Sequence, residues 1–564
     1  MLLTDPFLQR PHQDTIQVAW FTEFRGDRHL VLTGDPVEVL SEADVRRTVA
    51  AYGSPGVTVV DAGTVQLSRV AEDADSRLPG DRRPVSGIVA RDVYRHHGEV
   101  AAPAGRTPYR VVSIRGDELT VSDTFTLPGA LGPEESAVIM LTSDHQLTVN
   151  TPANLEFAAR TITEHLGRPD AVFLAGDMVN IPDRASEWFD DARGAAFFPA
   201  MQGRGTGTGS DGRVYRGGQI LQHAVLYAAV GNHEVQGRRD GHAALASSFE
   251  NAVPRAVAEA VYAGDPAGKA QWVEDNSFSI ATFQEIFALP GPDPFYAVTV
   301  GGVRLIVLFA TRVWRGWNAD PEPAARVKSR YQESHGNPDP LSRGYGAFLF
   351  EDLGAGSPQY EWLRRELRSA ESTAARYRVV MLHEGPHGLG ENVVPRFAHP
   401  VPTAEHNAAG EPAGIRYDYP ASADILCRDV VPLMEEAGVN LVYSGHSHLW
   451  NRFVSAAGVN YLEASNTGNS FGAFHRLTGR SRPVPPLPWS ADSAVPQGDP
   501  GGLQPVVPTV APRRDGAGRP LPYIADGNLV VFQALHTGTG TLTSWYVDMS
   551  DTGSGAVRFD EFTL

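Results

Sequence analysis

The chain contains very little cysteine and lysine, and its net charge is negative. Cys427 is the only cysteine among 564 residues, so no disulfide can form within the chain. It lies in an amphipathic helical pattern, which favours a buried structural thiol. The only lysines are Lys269 and Lys328, and the formal net charge is -18 at pH 7. Because nucleic-acid binding needs basic clusters against phosphate, this balance argues against a general nucleic-acid-binding protein.

Long apolar runs and targeting segments are lacking as well. No stretch of about 18 apolar residues occurs, so we predict no membrane span. The start, MLLTDPFLQRPHQ, has no basic region followed by an apolar one, as a secretory signal requires. We therefore expect a cytoplasmic protein, or a secreted or periplasmic one if the sequence is a trimmed form. The pattern GxxxxGKS/T is also missing, so no nucleotide-binding P-loop is predicted.

The first part of the chain has the pattern of a β-rich domain. Residues 14–130 contain short runs of alternating apolar and polar residues, such as 15–21 and 109–114, between Gly, Pro and Asp turns. This alternation predicts an all-β sandwich. The Pro- and Gly-rich segment 127–133 sets its boundary.

Residues 136–564 change to alternating strands and helices and form the second predicted domain. A helix should start at Thr151-Pro152, with Thr151 as its N-cap, and end at Gly167. Strands at 528–533 and 542–547 should complete a sheet of this domain. Insertions at about 181–223 and 235–295 are interpreted either as a lid or substrate wall, or as surface elaborations without a catalytic role. The Pro-rich segment 480–525 favours extended, weakly packed chain.

Five segments in this second domain place polar side chains directly after an apolar run. The runs are VIMLT, AVFLA, VLYAAV, YRVVML and VNLVYS, and each is typical of a buried strand. In a parallel sheet, the loops at the carboxyl ends of the strands converge on one crevice. The segments are Ser143-Asp144-His145-Gln146, Gly176-Asp177, Gly231-Asn232-His233-Glu234, His383 and Gly445-His446-Ser447-His448.

These side chains have the chemistry of a divalent-metal site, because carboxylate, amide and imidazole groups are ligands for such ions. Asp177 can bridge two ions through its two carboxylate oxygens, so it is also a candidate catalytic residue. His446 and His448 are two residues apart, so both face one side of an extended segment and can reach two ions. The six predicted ligands are Asp144, Asp177, Asn232, His383, His446 and His448.

The order of the motifs, D-x-(H/Q), GD, GNHE, H and GHxH, resembles that of the calcineurin-like metallophosphoesterase superfamily. The motifs cover the middle half of the chain. The resemblance implies a four-layer α/β/β/α sandwich with two metal ions at the sheet edge. It implies Asp144, Asp177 and His448 as ligands of the first ion, and Asp177, Asn232, His383 and His446 as ligands of the second. His233 takes the place of the family's catalytic histidine, near the leaving-group oxygen.

A second resemblance concerns the purple acid phosphatases. The segment VYRHHGEVAAPAGRTPYRVVS is similar to their fibronectin-like front domain, and GHSHLWNR is similar to their GHxHxYER motif, with Arg452 in the place of its Arg. Arg452 is then either a structural ion-pair partner or a substrate ligand. Asn180 stands where these enzymes have a tyrosine. Without that phenolate, divalent Mn, Zn or Fe is expected rather than ferric iron.

Five further residues near the motifs leave alternatives open. Gln146 stands where many members of the superfamily have a histidine ligand, so it is a weaker candidate ligand. His145 is adjacent, but on a strand end it points the other way, and it remains an alternative ligand. His387 either contacts substrate or stabilises its loop. Trp314 and Trp317 either line the crevice or pack in the core.

The implied reaction is hydrolysis of a small phosphate ester by a hydroxide that two divalent ions bind between them. The purple-phosphatase-like front domain favours a phosphomonoesterase, and a phosphodiesterase with the same centre is the alternative. A non-catalytic binding protein with a degenerate site, to which Gln146 points, is a third hypothesis. An adhesive role of the β-rich front domain is a fourth, which the lack of a signal segment argues against.

Overall fold

The computed structural model describes residues 1–78, 82–239, 241–250, 252–313, 349–390, 396–399, 401–482 and 495–564, together with the backbone of Ser334–His335. Trp314, Trp317 and residues 483–494 of the Pro-rich segment lie outside the described residues. The fold is mixed α/β, and two large sheets carry the five motif strands. None of the helices in the described part has the length and apolarity needed to cross a membrane.

The larger sheet has ten strands and includes the first three motif strands, which we call β1 (Val138–Thr142), β2 (Ala171–Leu174) and β3 (Val225–Ala228). These three are parallel to one another. In spatial order, the strands of this sheet are Val557–Thr563, Thr541–Asp548, Leu529–His536, β1, β2, β3, Phe7–Gln9, Thr15–Thr22, Tyr94–Ala101 and Gly63–Gln66.

The smaller sheet has seven strands and includes the last two motif strands, β4 (Tyr377–Met381) and β5 (Leu441–Ser444), which are also parallel. The five motif strands are therefore confirmed, but they belong to two sheets rather than to one. In spatial order, the strands of this sheet are Tyr296–Val300, Val303–Val307, β4, β5, Asn460–Ala464, Trp450–Val454 and Tyr523–Ile524.

Alternate residues of the motif strands pack on two different sides. Leu141 and Phe173 of the larger sheet share one apolar cluster with Met381 and Tyr443 of the smaller sheet. The other side of the larger sheet packs against helix α1 (Thr151–Leu166), and the other side of the smaller sheet packs against Pro358–Glu366 and Val431–Glu436. Burial on both faces explains why these strands appear in the sequence as continuous apolar runs.

The boundary of α1 differs slightly from the prediction. Asn150 occupies the N-cap position, Thr151 is the first helical residue, and Gly167 ends the helix as predicted. Pro152 lies in the first turn, where its missing N–H removes no helical hydrogen bond. The helix that begins after Ser357 is capped by the Ser357 hydroxyl, which accepts from the backbone N–H of Tyr360.

A separate N-terminal sandwich with a boundary at about 130 is not confirmed. Thr15–Thr22 and Tyr94–Ala101 lie in the ten-stranded sheet, and Leu8 pairs in parallel with Val225 of β3. Trp20 belongs to the same apolar cluster as the motif strands. The segment similar to the purple acid phosphatase front domain is thus divided between two sheets. Apolar alternation predicts strands correctly, but it carries no information about which strands pair.

Five other N-terminal strands form a sheet beside the larger one. A helix, Glu42–Ala51, lies within this segment and was missed by the all-β prediction. Its signal is in the sequence, since the Ser41 hydroxyl and the Asp44 carboxylate form a reciprocal capping box. The sheet contains Glu118–Val121, Thr107–Arg115, Arg28–Thr33, Thr58–Asp61 and Phe125–Leu127.

The two predicted insertions contain short helices, three of which pack in the apolar cluster of the larger sheet: Ala185–Phe189, Phe197–Met201 and Ala281–Ile286. In the first, Trp188, Phe189, Phe197 and Phe198 are buried in the cluster that contains α1, so this insertion contributes to the core. The helices of both insertions are Ala185–Phe189, Phe197–Met201, Leu245–Phe249, Arg255–Val261, Lys269–Asn276 and Ala281–Ile286.

Outside the insertions there is a further short helix, Ala370–Ala374. Short pairings are Gly207–Thr208 with Val214–Tyr215, Ala71–Glu72 with Val89–Ala90, and Pro412–Asp418 with Ser334–His335 and Val401–His406.

Candidate metal centre

The structure brings the six predicted ligands together at the carboxyl ends of the motif strands. The larger sheet supplies three of them and the smaller sheet the other three. The Nε2 atom of His383 lies 3.2 Å from Asp177 Oδ2, 3.0 Å from Asn232 Oδ1 and 3.1 Å from His446 Nδ1. The ligand atoms of Asp177, His383 and His446 all lie within 4.8 Å of one another. A candidate Asp/His metal site therefore exists where the two sheets meet.

Asp144 and His448 extend this group on one side. His448 Nε2 lies 3.4 Å from Asp144 Oδ1. The backbone N–H of His446 donates to both carboxylate oxygens of Asp144, at 3.1 and 3.0 Å. The group is thus continuous from Asp144 to Asn232, although its members are up to 304 residues apart along the chain, from Asp144 to His448.

The loops that carry these ligands have unusual backbone conformations. Among the described residues, seven non-glycine residues have a positive φ, and six of them belong to these loops. Such conformations cost about 1–3 kcal/mol each and persist only where the surrounding structure enforces them. Their concentration at one place indicates a functional site. The six are Asp144, Gln146, Leu147, Asp177, His446 and His448.

The glycines of the motifs are required by close contacts at the same place. A Cβ atom on Gly231 would lie 2.3 Å from Asp177 Oδ1, and one on Gly445 would lie 2.3 Å from Asp144 Oδ2. Any larger residue would push the carboxylate out of the cluster. The small residue in GNHE and GHSH therefore lets two loops approach closely enough to share one site.

The electrostatics of the cluster also suit a cation. Burial alone would raise the pKa of Asp177, but the imidazoles of His383 and His233 outweigh it and hold that pKa well below its usual value. Burial would lower the pKa of His383, but the Asp177 carboxylate outweighs it and raises the pKa to about 10. His383 Nε2 faces Asp177 Oδ2, Asn232 Oδ1 and His446 Nδ1, and a single proton cannot form hydrogen bonds with all of them at once. A divalent ion would bind all four atoms, so this set of ligand atoms fits a metal.

His233, the predicted catalytic histidine, lies beside this cluster. Its backbone N–H donates to Asp177 Oδ1 at 2.9 Å. Its Nδ1 lies 2.7 Å from the carbonyl oxygen of Asn180, which can only accept, so Nδ1 carries a proton. The ring stacks on Phe249 of the second insertion, with 4.9 Å between ring centroids and 24° between planes. These contacts orient the ring and place the proton of a neutral imidazole on Nδ1 rather than on Nε2.

Glu234 has a structural role that the sequence analysis missed. Its carboxylate accepts from the backbone N–H groups of Asp177 at 2.8 Å, Met178 at 2.9 Å and Gly231 at 2.8 Å. Burial and the nearby Asp177 carboxylate raise the pKa of Glu234 to about 8. Glu234, the last residue of GNHE, thus connects the loops that follow β2 and β3 by hydrogen bonds. An acidic residue three positions after a glycine was the available signal.

Of the two weaker ligand candidates, only Gln146 contacts the cluster. Its Nε2 donates to Asp177 Oδ2 at 3.0 Å, the oxygen that also faces His383. His145 is buried, and its Nε2 lies 2.8 Å from the Thr142 hydroxyl at the end of β1. Burial lowers the pKa of His145 to about 4, so this ring is neutral at pH 7.

Arg452 and His387 are buried among other partners. Arg452 contacts Asp560 through Nε at 2.9 Å and Nη2 at 3.2 Å, and its guanidinium lies 4.3 Å from the centre of the Phe562 ring. This ion pair connects the two large sheets. His387 Nδ1 lies 2.8 Å from Asp499 Oδ2. These contacts support the structural interpretation of both residues.

Replacing Arg452 should therefore destabilise the fold. We expect Arg452→Met to lower the free energy of unfolding by about 3–5 kcal/mol, because Asp560 is left as a buried, uncompensated charge. The double variant Arg452→Met/Asp560→Leu should recover most of this loss. Denaturant unfolding of both variants measures the effect. A stable Arg452→Met protein with a raised KM for phosphate esters would instead support the substrate-ligand interpretation.

Glu463 stabilises the GHSH loop by hydrogen bonding. It accepts from the backbone N–H of Ser447 at 2.7 Å and from the Ser465 hydroxyl at 3.1 Å. Burial, with a smaller contribution from Asp144, raises the pKa of Glu463 to about 8. The folded protein therefore keeps a proton here that the unfolded chain loses above its ordinary pKa of 4.5. The contribution of this proton to the stability should be lost as the pH rises from 4.5 to about 8.

Glu463→Gln should remove this pH dependence, because the amide keeps the accepting oxygen and cannot ionise. In the chelator-treated protein, the stability of the variant relative to the parent should rise by roughly 4 kcal/mol between pH 5 and pH 9. Thermal unfolding at both pH values tests this. Parallel pH profiles of the variant and the parent would show that Glu463 titrates normally.

No protein-family model matches the chain, and no curated protein matches it either. Among the solved structures that are similar to part of it are the following two. One is GAP50, the anchor in the inner membrane complex of Plasmodium, with 10% identity, a TM-score of 0.31, and 76% of this chain and 89% of that chain covered. The other is a dimetal phosphatase from Danio rerio, with 10% identity, a TM-score of 0.33, and 76% and 98% covered. At these TM-scores, neither likeness carries an argument about this chain.

Proposed function

We propose that this protein hydrolyses phosphate esters as a phosphomonoesterase that depends on two divalent metal ions. The observation that carries the proposal is the convergence of six ligand side chains from two sheets on one place, with His233 beside them. The motif order supports it, because it resembles that of the calcineurin-like metallophosphoesterases. The proposed architecture is the four-layer α/β/β/α sandwich of that superfamily, supported by two facing sheets with helices on their outer sides.

The contacts suggest how the ligands divide between two ions. Asn232, His383 and His446 surround one position together with Asp177. Asp144 and His448 contact each other beside it and would hold the other ion, again with Asp177. Gln146 Nε2 donates to Asp177 Oδ2, the oxygen that also faces His383. The amide oxygen of Gln146 would face the metal position only if its amide group were flipped. The position of Asp144 and His448 thus has fewer strong ligands than the position of Asn232, His383 and His446.

The chemistry of the ligands restricts the kind of metal without selecting one. Imidazole, amide and carboxylate groups suit Mn, Fe and Zn. Asn180 stands where a purple acid phosphatase has its tyrosine, and its side-chain Nδ2 donates to the Gln146 carbonyl at 2.7 Å. We therefore propose divalent ions and a colourless protein.

Each residue of the site has a proposed part in the reaction. Two divalent ions held here would supply Lewis acidity and lower the pKa of water from about 15.7 toward roughly 7. In its imidazolium form, His233 would donate the Nε2 proton to the leaving oxygen and become neutral with the remaining proton on Nδ1, its ring held by Asn180 and Phe249. Glu234 keeps the loops of Asp177 and Asn232 in register during the reaction.

The experiment that tests this function compares two chromogenic substrates. Purified protein supplied with Mn²⁺ should release p-nitrophenol from p-nitrophenyl phosphate faster than from bis-p-nitrophenyl phosphate. A reversed ratio would identify a phosphodiesterase with the same centre. Turnover no higher than that of His233→Ala would contradict catalysis, and bound ions without turnover would favour a binding protein with a degenerate site.

A further inference from the structure

Glu384 is a buried carboxylate between the metal cluster and an arginine. It directly follows His383 and is 2% exposed. Its Oε2 lies 3.5 Å from His446 Nε2. Its Oε1 accepts from the backbone N–H of Arg312 at 2.7 Å, and its Oε2 accepts from the Arg312 guanidinium. The motif order does not include Glu384 or Arg312, and neither has a part in the reaction proposed above.

The two nitrogens of His446 face opposite surroundings. Nδ1 lies 3.1 Å from His383 Nε2 and therefore points into the ligand cluster. Nε2 points toward the Glu384 carboxylate. A neutral imidazole has one N–H and one lone pair, and a carboxylate can only accept a proton. This arrangement favours the tautomer with the proton on Nε2 and the lone pair on Nδ1.

We infer that Glu384 is a positioning residue that fixes the tautomer and the ring orientation of His446 for metal binding. Arg312 holds the carboxylate through two contacts, so the carboxylate cannot rotate away from the imidazole. A carboxylate behind a metal-binding histidine orients the ring and increases its basicity, and loss of such a partner typically weakens metal binding about 10–100-fold. The inference rests on the proposed metal centre.

The effect should be confined to one of the two ions. His446 Nδ1 belongs to the position formed with Asn232 and His383, whereas Asp144 and His448 form the other position. Glu384→Gln keeps the size of the side chain and an oxygen that can accept from the Arg312 N–H. It places a neutral amide against His446 Nε2. One dissociation constant should change and the other should not.

Calorimetric titration of the full-length, chelator-treated protein with Mn²⁺ tests this directly. In Glu384→Gln, one of the two dissociation constants should rise about 10–100-fold, and the other should stay within about twofold of the parent. Glu384→Asp should restore part of the lost affinity. Asp499→Asn is a matched control, since it alters another buried histidine–carboxylate pair, that of His387, outside the cluster. It should leave both constants unchanged.

A second measurement determines the tautomer of His446 in the metal-free protein. With ¹⁵N-labelled histidine, the His446 signals, identified by their loss in His446→Asn, should show Nε2 protonated in the parent and a mixture of tautomers in Glu384→Gln. Two unchanged dissociation constants in a folded Glu384→Gln protein would overturn the inference, and so would equal weakening of both ions. Because the titration does not require hydrolysis, a parent that binds two ions without turnover would contradict only the proposed function.

Discussion

Asp177→Asn should remove both metal ions together and lower phosphate-ester turnover by at least about 10³-fold, since several kcal/mol of charge stabilisation are lost. Asp177 Oδ2 lies 3.2 Å from His383 Nε2 and 3.0 Å from Gln146 Nε2, so this carboxylate lies at the centre of the cluster. Asparagine keeps an oxygen for the backbone N–H of His233, so the loop should keep its conformation. The lost quantity is the negative charge that the two ions would share.

Elemental analysis of the variant after purification with excess Mn²⁺ measures the effect. Asp170→Asn is the matched control, because Asp170 lies just before the first residue of β2, at the opposite end of the strand from Asp177, and accepts from the backbone N–H of Val138 at 3.0 Å. The control should bind two ions per chain. Full occupancy of both sites in Asp177→Asn would contradict the bridging role, and loss of one ion alone would place Asp177 on a single metal.

The sequence predicted the ligand cluster because its signal is local. A polar residue that follows a buried apolar run lies at the end of a strand, and the ends of parallel strands meet. All five motif strands occur in the structure at the predicted places, and β1 agrees to the residue, at Val138–Thr142. Glycines such as Gly231 and Gly445 strengthened the prediction, and the contacts their Cβ atoms would make explain why they are there.

The arrangement of the strands was much less predictable. Pairing depends on contacts between residues far apart in the chain, and a strand such as Phe7–Gln9, at only three residues, has no pattern that reveals its partner. The N-terminal strands were therefore assigned to a domain of their own, although Thr15–Thr22 joins the sheet that contains β3. Apolar alternation describes the two faces of a strand and leaves its neighbours undetermined.

The residues that support the ligands were missed for the same reason. Glu384 directly follows the predicted ligand His383 in the sequence, but its inferred role depends on Arg312 and His446, which lie 72 and 62 residues away from it. Conversely, Arg452 lies four residues after His448 and was a candidate substrate ligand, yet it pairs with Asp560. Proximity to a motif in the sequence indicates proximity to the site only where the strand direction and the side-chain direction agree.

His233→Ala should retain both metal ions and lose about 10²–10⁴-fold in turnover, the range typical of a positioned acid–base group. His233 contacts Asp177 through its backbone N–H, so removal of the imidazole leaves the ligand cluster intact. The size of the loss should depend on the substrate. An alkyl phosphate needs a proton on its leaving oxygen, whereas p-nitrophenolate is stable without one. The variant should therefore lose much more activity on the alkyl ester.

Turnover of the parent and the variant on p-nitrophenyl phosphate and on an alkyl phosphate, together with metal analysis of both proteins, separates this role from a structural one. His165→Ala is the control, because His165 lies at the end of α1 and contacts the Thr161 carbonyl. An equal loss on both substrates would show that His233 acts without protonating the leaving group. A loss of metal in His233→Ala would show that the ring supports the cluster itself, and the acid would then have to be sought among other groups beside Asp177.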